Sequence, residues 1–150
     1  MQTREIDVAT PDGAMSAYEI IPDGEGQRPA ILFLMDGLGY RAALKAMAER
    51  LASHGYHVLL PDLYHRVGKH VHFDPAVMTQ PDKMGEMRKL IGNLTPDMMM
   101  SDVAACLDVL ASRANVDATR VGAVGYCMGG RNAFIVATRF PDRLRATASI

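Results

Sequence analysis

This sequence has no surplus of charge of either sign. Its 150 residues carry 16 Lys and Arg against 17 Asp and Glu, a net charge of -1. Nothing here gathers nucleic acid or an acidic membrane surface electrostatically. No apolar run approaches the ~20 residues that a membrane span requires. Met1 to Asp7 lacks the apolar core of a secretory signal. Cysteine is scarce: Cys106 and Cys127, without metal-like spacing, point to a reducing cytoplasm rather than a disulfide framework. Internal repeats, low-complexity tracts and linkers are absent too. What remains is an ordinary globular composition, 49% apolar and 22% charged. The length suits about one domain with a real core, and eleven methionines suit an adaptable one.

Along the chain, Glu5 to Val8 alternates polar and apolar, Thr10-Pro-Asp-Gly13 turns, and Met15 to Ile21 is apolar again. That pattern predicts an antiparallel hairpin. Pro22 to Pro29 is a loop, and Ala30 to Met35 is a continuous apolar run, as a strand covered on both faces must be. Asp36 to Tyr40 is a loop. Arg41 to His54 places Leu44, Met47, Ala48 and Leu51 at helical spacing, with Gly55 ending the helix. Tyr56 to Pro61 reads as a second buried strand, and Asp62 to Gln80 as a long polar loop of the kind that carries function. A helix is expected from Pro81 to about Leu94. Thr95-Pro96-Asp97 then starts another, with a hydroxyl cap, a proline and an acid in order. Val103, Cys106, Leu107 and Leu110 mark its buried face. A hairpin followed by alternating strands and helices predicts an α/β fold, a mostly parallel sheet with helices on both faces. Ligands then bind at the carboxyl ends of the strands, where Asp36 to Tyr40 and Gly125 to Gly129 occupy neighbouring positions.

The chemistry concentrates in Val121-Gly-Ala-Val-Gly-Tyr-Cys-Met-Gly-Gly130. A small apolar strand enters Gly125-Tyr126-Cys127-Met128-Gly129, and Arg131 to Thr138 leaves as a helix. A turn this sharp strains its tip residue and leaves no room for side chains beside it. This is the nucleophile-elbow pattern with cysteine at the tip. Free cysteine is also among the most buried residue types, so a plain packed turn is the alternative. Neither the dinucleotide spacing G-x-G-x-x-G nor a Gly-Lys-Ser/Thr phosphate loop is present.

Three segments resemble the dienelactone hydrolases of the α/β-hydrolase superfamily: Ile31 to Gly39, Leu59-Leu-Pro-Asp-Leu-Tyr64, and Val121 to Gly130. The resemblance implies hydrolysis of a small ester or lactone, such as a cyclic enol ester, through an acyl-cysteine intermediate, without cofactor or metal. It casts Cys127 as nucleophile, with the backbone N–H groups of Met128 and Gly37 as oxyanion donors. One such donor typically lowers a barrier by roughly 3–4 kcal/mol. Asp36 stands where the family has a glutamate beside the resting cysteine; it reads equally as a loop aspartate in a local turn. Tyr64 and Arg66, at the end of a strand, are the expected substrate contacts bordering the pocket; relatives recognise a substrate carboxylate with arginines, for which Arg41, Arg66 and Arg88 are the candidates.

The order nucleophile, acid, histidine leaves a gap, because no histidine follows Cys127. Asp142, in Phe140-Pro-Asp-Arg143, reads as a turn, and Arg145 to Ile150 as the start of a strand. The expectation is therefore the N-terminal portion of one α/β-hydrolase domain, with acid and histidine beyond residue 150. His65, His70 and His72 read as solvated loop residues, and with Asp74 their spacing matches no trusted metal site. His54 and His57 suit packing or capping. The alternatives are a hydrolase-like binder of small molecules without turnover, and a general esterase or thioesterase.

Overall fold

A computed structural model describes residues 1–150. Strands β1 (Gln2–Thr10) and β2 (Gly13–Ile21) form the expected hairpin, joined by a two-residue turn at Pro11 and Asp12. β3 (Arg28–Leu34), helix α1 (Ala42–Ala52), β4 (His57–Pro61), a short 3₁₀ turn (Pro75–Thr79), α2 (Pro81–Asn93), α3 (Pro96–Ser112), β5 (Val116–Gly125), α4 (Met128–Arg139) and β6 (Ala146–Ser149) follow. The six strands form one sheet in the order β1-β2-β4-β3-β5-β6. The hairpin joins β4 antiparallel, and β4, β3, β5 and β6 run parallel.

The centre of the sheet is buried as its composition requires. Leu32, Phe33 and Leu34 of β3 and Val58, Leu59 and Leu60 of β4 are all fully covered. α1 lies on one face, with Leu51 beside Phe33 and Val124; α3 and α4 pack together on the other. α3 begins as expected: Thr95 Oγ1 accepts the Met98 N–H at 3.2 Å, and Val103, Cys106, Leu107 and Leu110 are buried. Gly55 takes φ 91° just after α1, the left-handed conformation that ends a helix.

Three details differ from the sequence reading. β5 starts at Val116 rather than Val121, because its first half bulges away from β3 between the Arg28 and Ala30 pairings. Met47 is 37% exposed, and Ala52 takes its place on the buried side of α1. His65 is not a solvated loop residue: its ring is nearly covered and meets the fully buried Asp102 at 3.3 Å. Asp102 also takes two bonds from Arg66, at 2.7 and 2.9 Å. A buried carboxylate needs such partners. The same logic holds at the amino ends of the strands, where buried Glu19 is bonded by His57, Arg4 and Arg113 at 2.7–3.2 Å.

Candidate active site

In the β3–β5 ladder Leu34 lies opposite Gly125, so the loops that leave these strands start side by side. One is Asp36 to Tyr40 and the other is the turn at Cys127. Cys127 adopts φ 55°, ψ -116°, a conformation costly for any residue with a Cβ. Its N–H donates to the Ile150 carbonyl at 2.8 Å, and the Ile150 N–H returns to Gly125 at 3.1 Å. The turn is thus tied to the residue that follows β6.

The flanking glycines are required by contact. A Cβ on Gly125 would stand 2.8 Å from the Gly129 Cα, and one on Gly129 would stand 2.8 Å from the Met35 carbonyl oxygen and overlap that of Leu34. Side chains at either position would drive α4 off the ends of the strands. Tyr126 is steadied by an edge-on contact with Phe33, ring centroids 6.2 Å apart. The Cys127 side chain is exposed, whereas Cys106 is buried. Burial, with the charge of Asp102 nearby, pushes the Cys106 thiol well above its usual range.

Neither the Met128 N–H nor the Gly37 N–H donates a hydrogen bond within the chain. Gly37 is presented by a loop held at several points. Tyr64, itself buried, donates its hydroxyl to the Gly37 carbonyl at 2.9 Å and reaches the Met128 sulfur at 3.7 Å. The Phe73 N–H donates to the Leu38 carbonyl at 2.8 Å, and Gly39 pairs with His72 across an isolated bridge. Behind them, buried Asp62 accepts the N–H groups of Tyr64 and His70 at 3.2 and 2.7 Å. Its burial pushes that carboxyl upward against the pull of those two bonds. The long loop after β4 is therefore a clamp on the loop after β3.

Of the two readings open for Asp36, its contacts are those of the local turn. Its Oδ1 accepts the Leu38 N–H at 3.0 Å, and Arg41 grips both oxygens at 2.5 and 2.8 Å. It makes no hydrogen bond to Cys127. Arg66 is committed as well: beyond Asp102 it bonds Asp12 at 2.8 Å, so its guanidinium ties α3 to the hairpin turn. No histidine is bonded to the elbow. His57 lies with Glu19, His65 with Asp102, His70 stacks on Tyr40 at 4.9 Å, and His72 bonds the His70 carbonyl. Sequence reasoning passes over Ile91, whose Cδ1 lies 2.7 Å from where a Gly37 Cβ would stand. A lone isoleucine on a polar helix gives no warning of that role.

A hairpin-led sheet in this order, with a strained tip residue between β5 and α4, defines the α/β-hydrolase class. The sequence profile of the dienelactone hydrolase family matches residues 15–150, and the chain belongs to that family. Among its relatives, a Methylorubrum extorquens protein provisionally named carboxymethylenebutenolidase is 28% identical over 137 residues, covering 91% of this chain and 45% of that one. A Rhodococcus opacus carboxymethylenebutenolidase is 29% identical over 122 residues, covering 81% and 43%. A crystal structure from Klebsiella pneumoniae, provisionally called a dienelactone hydrolase, shares the fold with a TM-score of 0.80 at 24% identity, covering 99% of this chain and 58% of that one. The chain spans about half the length of the curated relatives it matches.

Proposed function

We propose that the protein hydrolyses a small ester or lactone through an acyl-cysteine intermediate on Cys127. One observation carries the reading: an exposed cysteine in a strained conformation, at a turn where the next N–H, that of Met128, has no partner within the chain, as the Gly37 N–H on the neighbouring loop has none. The Cys127 thiolate adds to the ester carbonyl, and the carbonyl oxygen takes up negative charge. The N–H groups of Met128 and Gly37 are the proposed donors to that oxygen. Collapse, with the proton that the thiol gave to the base passing to the leaving oxygen, expels the alcohol, or opens the lactone, and leaves the acyl group on Cys127. Water then releases the acid and restores the thiol. A dienelactone-like enol lactone fits the family, and the two relatives named carboxymethylenebutenolidase support that class.

Asp36 and Tyr64 enter this scheme as positioning residues, since both shape the loop that presents Gly37. The base for Cys127 and the acid that orients it are proposed to lie after Ile150, in the chain order usual for α/β-hydrolases. Free thiols at Cys106 and Cys127 suit a reducing, cytoplasmic setting, and no helix is long and apolar enough to cross a membrane. The test is ester turnover: Cys127→Ala should abolish it together with any acyl adduct, and turnover unchanged in that variant would falsify the mechanism.

A second reading, binding without turnover, draws on the commitment of Asp36 to Arg41. Iodoacetamide separates the two. An activated Cys127 labels much faster than a free thiol of ordinary pKa, and a passive one does not.

A further inference from the structure

Residues 74–94 run between two fixed points. Before them the Phe73 N–H donates to the Leu38 carbonyl, and after them Thr95 caps α3. Within the span, the 3₁₀ turn and α2 keep their hydrogen bonds to themselves. The Asp74 side chain accepts from the Ala76 N–H, the Gln80 carbonyl from Met84, and the Leu94 N–H closes on Ile91. No hydrogen bond reaches from this span to the rest of the chain. Asp82, Lys83, Glu86, Arg88 and Lys89 of α2 are all exposed.

Apolar contact alone therefore seats α2: Met87 is buried, and Met84, Leu90 and Ile91 are half-buried. The seat is loosely filled. A cleft of about 160 Å³ lies on the Leu90 side, walled by Leu63, Tyr64 and Met98. Another, of about 380 Å³, lies on the Ile91 side, walled by Met99 and Ile135. Gaps of this size forfeit packing contacts along both flanks of the helix. Its ends are breaks as well. Gln80 and Thr95 precede prolines and are extended, at ψ 97° and 154°, so α2 cannot run on into the 3₁₀ turn or into α3.

What α2 covers is Gly37. That residue is buried, its N–H has no partner, and beyond its chain neighbours the Ile91 side chain alone occupies the space beside its Cα. A donor buried without an acceptor is costly while it stays covered. We propose that residues 74–94 form a lid over Gly37, with Ile91 as its closing residue. Lifting the lid breaks no hydrogen bond outside it and gives up only the contacts of a few side chains. The use made of this motion rests on the proposed function: the open lid admits an ester carbonyl to the Gly37 N–H, and Ile91 in the closed lid limits the bulk beside it.

Amide hydrogen exchange in the intact protein, read residue by residue by NMR, tests the lid without any turnover. A helix of 13 residues is marginal once off its seat, so opening exposes the amides of α2. They should exchange at least about 100-fold faster than those of Val103 to Leu110 on α3. The Gly37 amide should exchange at the rate of Met87 to Ile91, since one opening frees both. Ile91→Ala keeps helix propensity, so the variant should fold; it should speed Gly37 exchange by about tenfold and leave α3 unchanged. Trypsin offers a second readout. It should cut after Lys83, Arg88 or Lys89 well before Arg50, which is also exposed but lies on α1. Protection of α2 equal to that of α3, Gly37 exchange indifferent to Ile91→Ala, or cleavage at Arg50 ahead of α2 overturns the lid. Cys127→Ala bears only on the ester chemistry, so either reading can fail while the other stands.

Discussion

The hydroxyl of Tyr64 donates to the carbonyl of Gly37 at 2.9 Å, joining residues from two different strand ends inside the protein. Tyr64 sits where β4 gives way to the long loop, and Gly37 where β3 gives way to the loop facing Cys127. The bond fixes one side of the Gly37 peptide units and so helps set where the neighbouring N–H points. Tyr64→Phe should therefore cost about 1 kcal/mol of stability. If the esterase reading is right, it should lower kcat more than it raises KM. A urea melt with steady-state kinetics checks both; equal stability and unchanged kcat would show that the hydroxyl holds nothing.

Gly129 tests the elbow by volume alone. A methyl group there would overlap the Leu34 carbonyl, so Gly129→Ala should destabilise by 3 kcal/mol or more, in the range of severe steric defects. Gly85, with open space around its Cβ position, is the control, and Gly85→Ala should be neutral or stabilising by up to about 1 kcal/mol. Denaturation midpoints of the two variants decide the matter.

Cys127 carries the opposite expectation. Its φ of 55° suits glycine, so Cys127→Gly should stabilise the fold by about 1 kcal/mol while ending any turnover. Cys106→Ala, at a fully buried site, should instead destabilise by about 1 kcal/mol or more. A stability gain bound to a loss of activity at one position would mark strain held for function.

Acid provides a test away from the site. Burial raises the Glu19 pKa, but the bonds from His57, Arg4 and Arg113 outweigh it and hold the carboxyl at about 2. The depressed value favours the folded state when the group is ionised. Its contribution, roughly 3 kcal/mol, is complete above pH 4.5 and is lost as pH falls toward 2. Glu19→Gln should be less stable than wild type at pH 7, and the difference should shrink steadily between pH 4.5 and 2. Parallel stability curves for the two proteins in that window would refute this.

Much of the fold was legible because its signals are local. The apolar run Ala30 to Met35, the cap Thr95-Pro96-Asp97 and the glycines around Cys127 each answer to geometry within a few residues. Asp102, Glu19 and Arg66 were not legible, since partners come from distant segments and a sequence does not say which aspartate will meet which arginine. His65 misled for the same reason: a histidine in a polar loop looks solvated until the loop folds onto α3. Asp36 shows the finer limit. Both readings satisfied the sequence, and Arg41, five residues on, decided its contacts.

The sheet order has a bearing on how the molecule is made. β3 stands between β4 and β5, yet β5 is synthesised only after two further helices, α2 and α3. Until then β3 has one neighbour, and its other edge is an open row of unpaired backbone groups in an apolar strand. Distant pairing of this kind forms slowly. The late step that closes this edge is also the one that brings the Cys127 turn beside the Gly37 loop. A nascent chain stalled short of β5 therefore carries an exposed seam that invites chaperones and neighbouring chains, and one that has passed it gains its fold and the two halves of its candidate site in the same event.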